Sequence, residues 1–156
     1  MTTGTADLNP HIVEALYGEA LVLADEVRTL FDMSGRLDEA AQDEDLARIA
    51  HSCEALRTTT RMMHAIGWLL NQRAYFRGEL SEFQLRRHGR LPRSTSRPDP
   101  ENIMRLDADT RSLIVTTERF YARIERLERA WQQRYVVQPG AIHRLRERLS
   151  EAVHHI

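Results

Sequence analysis

Arg57, Arg61 and Arg73 stand among apolar residues in the middle of the chain. All-helical enzymes that rearrange dicarboxylates use arginine clusters in a bundle core, so these residues are candidates for anion chemistry. A structural use competes with it. Residues 1–45 hold eleven acids, and a buried guanidinium is costly unless a carboxylate meets it. Glu79-x-x-Glu82 and Glu125-x-x-Glu128 have the spacing of a magnesium pair, as in helical nucleotide pyrophosphohydrolases. Each is isolated, with no acidic partner motif at a regular offset. The seven histidines include no i,i+4 pair on an expected helix and no HExxH. The one Glu-x-x-His, Glu151 to His154, lies near the chain end. Di-iron bundles place carboxylates inward on several helices, whereas the expected inward positions here are apolar. Cys53 has no partner cysteine and no flanking histidine, and reads as a small hydrophobe. The expectation is a protein with no catalytic residue, metal or cofactor, and not an enzyme.

Arg86, Arg87, Arg90, Arg93 and Arg97 form the sharpest charge feature, a run with no intervening acid. Three uses compete: a solvated linker, a docking patch for an acidic protein, and a nucleic-acid contact. Nucleic acid is the least favoured, because aromatic interleaving is absent and the net charge is −1. Mutual repulsion predicts a mobile segment that an acidic partner would neutralise, through a salt-sensitive contact.

Long amphipathic helices must position these groups. All five prolines, Pro10, Pro92, Pro98, Pro100 and Pro139, fall at expected boundaries. Helix one is predicted from an Asn9 N-cap and Pro10 to about Phe31, breaking near Ser34-Gly35, with the stripe Leu16, Ala20, Leu23, Val27 and Leu30. Helix two runs to a stop at Gly78. Its heptad row is Leu46, Ile49, Cys53, Leu56, Thr60, Met63, Gly67, Leu70 and Ala74, which places Leu56 and Leu70 in the core. Ser81 to His88 reads as two helical turns closed by Gly89, and Leu91 to Glu101 as a loop. Helix three carries Leu106, Thr110, Leu113, Thr117, Phe120, Ile124, Leu127 and Trp131, and ends at Pro139-Gly140. A last amphipathic segment holds Ile142, Leu145, Leu149, Val153 and Ile156. The expected fold is all-α: an antiparallel up-down-up three-helix bundle over residues 1–138, with a short C-terminal helix or tail over 139–156.

Helix two has more apolar surface than one row needs. Met62, Ile66, Leu69 and Phe76, with Trp68 beside them, form a second stripe, and helix three has a further set in Ile114, Tyr121 and Tyr135. A central helix can bury two faces, but two spare faces favour a homodimer through Met62, Ile66, Trp68, Leu69 and Phe76.

Composition sets the class. A hydrophobic content of 42% supports one core, and no apolar run is long enough to span a bilayer. Met1 to Asn9 shows no signal-peptide pattern, and a single cysteine excludes an internal disulfide, so cytoplasmic residence is the expectation. All 22 basic residues are arginine, consistent with codon bias in a GC-rich genome. Charge is uneven. Residues 1–45 set eleven acids against Arg28 and Arg36, while residues 46–97 set ten arginines against Glu54, Glu79 and Glu82. Such a split orients helices, subunits or partners.

The block Leu56-Arg57-Thr58-Thr59-Thr60-Arg61-Met62-Met63, then Gly67-Trp68-Leu69-Leu70-Asn71-Gln72-Arg73-Ala74, then Gly78-Glu79, resembles the bacterial RcdA family, the regulator of CtrA degradation. Glu118-Arg119-Phe120-Tyr121-Ala122-Arg123-Ile124 and Leu127-Glu128-Arg129-Ala130 extend the resemblance, which covers roughly Ala15 to Arg134. It implies a dimerising three-helix bundle that acts as an adaptor for the ClpXP protease, helping deliver cell-cycle regulators. The implied partners are the protease unfoldase, a response-regulator-like protein and substrate proteins. The expected function is therefore a non-enzymatic homodimeric adaptor. The alternatives are a small helical enzyme using the helix-two arginines, or a nucleic-acid-associated protein using the Arg86–Arg97 stretch.

Overall fold

A computed structural model describes residues 8–37, 45–93, 97–136, 145–146 and 148–149. Five helices follow in order: α1 Pro10–Leu37, α2 Asp45–Phe76, α3 Glu82–His88, α4 Pro100–Met104 and α5 Ala108–Val136. No strand occurs among the described residues, and their fold is all-helical. Local chemistry sets the ends. Asn9 Oδ1 accepts the Ile12 N–H at 3.0 Å and starts α1. The helix then runs through Ser34-Gly35, where a break was expected. Gly78 takes φ +76°, open to glycine without strain, and its turn lets the Glu79 N–H close back onto the Ala74 carbonyl at 2.9 Å. Ser81 and Gln84 form a reciprocal capping box at the start of α3. Asp107 accepts from both the Thr110 N–H and hydroxyl at the start of α5, and the hydroxyl bond first of all holds its carboxyl below the ordinary range. The short α4 was expected to be loop. Its signal was present in Asp99-Pro100-Glu101, where Asp99 caps and Pro100 opens the first turn.

Residue pairing gives the direction of each long helix. Arg73 meets Glu14 and His51 meets Phe31, so α2 runs antiparallel to α1. Arg123 meets Glu19 while Leu113 lines a groove with Leu30 and Met33, so α5 is also antiparallel to α1. Arg61 meets Thr117 and Trp68 lies near Glu128, so α5 runs parallel to α2. The expected up-down-up order is thus corrected to up-down-down. The chain between Phe76 and Ala108 has to travel back along the bundle, and it buries Leu85, Leu91 and Leu106 on the way. The boundary expected at residues 138–139, and Ile142, Val153 and Ile156, lie outside the described residues; Leu145 and Leu149 are exposed.

The core follows the expected stripes on two helices and departs from them on the third. On α1, Leu16, Ala20, Leu23 and Val27 are buried, with Val13 and Phe31. Just before and along α5, Leu106, Thr110, Thr117, Phe120 and Ile124 lie inside as expected, and Ile114 and Tyr121 join them. On α2 the expected heptad row faces out: Leu46, Ile49, Leu56 (70% exposed), Met63 and Leu70 all contact solvent, and Cys53 is only half-buried. The face turned inward carries Ala50, Glu54, Thr58, Arg61, Met62, Ala65, Trp68, Leu69 and Gln72. Two causes favour this register. The bulk of Met62, Trp68 and Leu69 fills the space between α1 and α5, which Cys53, Thr60 and Gly67 would leave empty. Ala50 and Ala65, both 0% exposed, let the neighbouring helices approach. The register predicts a ranking that chemical denaturation can read. Leu69→Ala and Phe120→Ala are each expected to lose about 2–5 kcal/mol, and Leu56→Ala no more than about 0.5 kcal/mol. The reverse order would refute the placement of α2.

Candidate functional site

The three helix-two arginines do not converge. Arg57 Nη1 donates to Glu54 Oε1 at 2.6 Å. Arg73 donates to Glu14 Oε1 at 2.7 Å and lies over the Tyr17 ring, 4.2 Å from its centroid. Arg61 is buried between α2 and α5, where Nη1 donates to Thr117 Oγ1 at 2.9 Å and Nη2 approaches Glu118 at 3.5 Å. Burial lowers the Arg61 pKa, and Glu118 and then Glu54 oppose that shift. Of the three, Arg73 alone pairs with an acid of the N-terminal region. Around Arg61 runs a polar seam. Glu54, Thr58 and Gln72 are fully buried, and among the described residues Glu54 Oε2, Thr58 Oγ1 and Gln72 Oε1 have no hydrogen-bond partner. This is a costly interface that specifies one pairing of helices, not an open chamber. The apolar groove between α1 and α5, about 360 Å³ in volume, is lined by Asp25, Glu26, Thr29, Leu30, Met33 and Leu113 and by no arginine.

The carboxylate pairs are used elsewhere. Glu82 holds Arg86 at 2.9 Å, and Glu128 accepts the Leu91 N–H at 2.7 Å. Burial raises the Glu128 pKa, while the Leu91 N–H, the Trp68 indole and Arg90 pull it back. Among the described residues no three His, Cys, Asp or Glu side chains gather in a way that could hold a metal ion.

Two surfaces stand out in place of a chamber. The first is the outward row of α2, from Leu46 to Leu70. The stripe expected at a dimer interface is largely spent inside one chain: Met62, Trp68 and Leu69 are buried in the core, and Ile66 and Phe76 pack against it half-buried. That surface assignment is corrected, because the two faces of α2 exchange roles. The second surface is α3 with the residues after it. Arg87, Arg90, Arg93 and Arg97 are exposed, and none makes an ion pair with a described residue; Arg86 instead binds Glu82 and lies 6.0 Å from the Trp131 ring. From Glu82 to Pro92 the stretch is held against the bundle. Leu85 and Leu91 are buried, and a Cβ added at Gly89 would lie 2.6 Å from the Leu85 carbonyl oxygen. The Tyr121 hydroxyl donates to the Pro92 carbonyl. Sequence reasoning missed Phe83, 69% exposed one turn before Arg87. Its signal was a large aromatic at a position that the capped two-turn helix does not need for burial.

Burial, then Glu125 and Glu128, push the Tyr121 phenol up to about 12 from 10.0. The folded state therefore keeps its proton where the unfolded chain has lost it. This stabilisation is complete below pH 10 and disappears as pH rises through 12. Denaturant titrations across that window are expected to show wild type losing on the order of 2 kcal/mol more than Tyr121→Phe. Parallel losses would disprove the burial of the phenol.

No curated protein and no solved structure matches the chain. A family model described as "Protein of unknown function (DUF1465)" matches residues 4–153, nearly the whole length. The chain belongs to that family.

Proposed function

We propose that this chain is a non-enzymatic homodimeric adaptor, resembling those that deliver cell-cycle regulators to the ClpXP protease. The observation that carries the protein-recognition part is the α2 row. Leu46, Ile49, Leu56, Met63 and Leu70 are open to solvent, the last four of them seven residues apart, and Cys53, Thr60 and Gly67 fall between them to complete the alternation of three and four. That repeat is the one two helices use to pack knobs into holes. An antiparallel copy centred near Thr58 sets Ile49 opposite Gly67, Cys53 opposite Met63 and Leu56 opposite Thr60, with Leu46 opposite Leu70 at each end. A helix of 32 residues offers about 48 Å of such contact. The delivery part rests on the RcdA resemblance, and it makes the partners the protease unfoldase, a response-regulator-like protein and the delivered substrates.

Light scattering at micromolar concentration is expected to give twice the 18.1 kDa of one chain. Leu56→Asp with Met63→Asp is expected to yield a monomer of unchanged helix content, because both side chains face water within one chain. A wild-type monomer would rule out the dimer. Affinity capture from native lysate with mass spectrometry tests delivery, and recovery of neither an unfoldase nor a regulator-type protein would remove it.

A further inference from the structure

We propose that Phe83, Arg87, Arg90 and Arg93 form a preorganised docking site for an acidic protein segment carrying a large apolar side chain among its carboxylates. The inference rests on reading the chain as a protein-recognition bundle, but it uses a different face from the α2 row.

The support is a contrast within one short stretch. Leu85, Gly89 and Leu91 point into the bundle and are buried, while Phe83, Arg87, Arg90 and Arg93 point out. The inward residues fix the outward ones. The Ser81–Gln84 capping box holds one end of α3, and the Gly89 N–H closes the other onto the Leu85 carbonyl at 2.7 Å. Beyond it, Glu128 holds the Leu91 N–H at 2.7 Å and Tyr121 holds the Pro92 carbonyl. Three exposed guanidiniums thus stand on held backbone, Arg87 and Arg93 without a described carboxylate partner and Arg90 within electrostatic reach of Glu128, with an exposed phenyl ring one helical turn from Arg87. Most of the cost of ordering a binding loop is already met before a ligand arrives. Charge complementarity names the ligand. Guanidiniums fork to carboxylates, and the phenyl ring takes an apolar side chain that excludes water from those ion pairs. Nucleic acid fits less well. Its affinity grows with the number of phosphates neutralised, and here one short element presents few guanidiniums and one ring on a chain of net charge −1.

A random peptide library displayed on phage, selected on the full-length protein, tests this. Enriched peptides are expected to share two or more Asp or Glu residues around a Phe, Leu, Ile or Met. As fluorescein-labelled synthetic peptides, they are expected to bind in anisotropy titrations that weaken with salt. R87E/R90E/R93E is expected to weaken binding at least ~10-fold and Phe83→Ser by roughly 10-fold. Circular dichroism should show unchanged helix content, and R87E or R93E alone serves if the triple variant loses it. No enrichment, enrichment without the acidic–apolar pattern, or equal binding to the variants would overturn the proposal. Tighter binding of a single-stranded oligonucleotide of matched charge at the same arginines would overturn it in favour of nucleic acid. Light scattering reads the α2 row separately. A dimer that selects no such peptide loses this inference alone, and a monomer that selects one keeps it.

Discussion

Arg61 constrains the rest of the molecule. Its guanidinium is held between α2 and α5, and such a group is tolerated inside a bundle only where oxygen atoms meet it. Thr117 accepts from it while donating its own hydroxyl proton to the Ile114 carbonyl at 2.7 Å, and Glu118 supplies the opposing charge. Those partners exist on one face of α5 and at one height. Once Arg61 is placed there, the rotation of α2 about its axis is set. Met62, Ala65, Trp68, Leu69 and Gln72 turn inward with it, and the heptad row turns to solvent.

The direction of α5 follows from the same contact. Thr117 lies early in α5 and Glu128 late, and they meet Arg61 and Trp68 in the same order, so the two helices run parallel. Parallel neighbours cannot be joined by a tight turn. The chain after Phe76 must return the length of the bundle, and the residues it buries in doing so hold α3 and its arginines rigid. A polar pair inside the bundle thus accounts for both exposed features: the apolar row on α2, and the fixed basic patch with Phe83.

Both surfaces suit recognition, in different ways. The α2 row is long, repetitive and nearly uncharged along its centre, which fits a partner of the same shape. The α3 patch is short, basic and rigid, which fits a small acidic segment where electrostatics raise the rate of encounter and an apolar contact slows release. The helix-two arginines are each engaged in separate structural contacts.

The sequence alone determined the helical class, most helix ends and the buried stripes of α1 and α5. These rest on local signals, namely caps at Asn9 and Ser81, the stop at Gly78, and apolar periodicity on helices with one clear face. It did not determine which face of α2 is buried. Apolar residues surround that helix on nearly every side, so its periodicity admits two registers, and the apolar one that the row Leu46 to Leu70 suggested was the wrong choice. Only the tertiary structure decided it. Filling the space between two helices depends on the volumes of Met62, Trp68 and Leu69, and burying Arg61 depends on oxygens some 56 residues away in the chain. Likewise, no local signal reports the direction of α5, because that is set by contacts between residues far apart in sequence, and a heptad pattern reads the same for a parallel or an antiparallel neighbour.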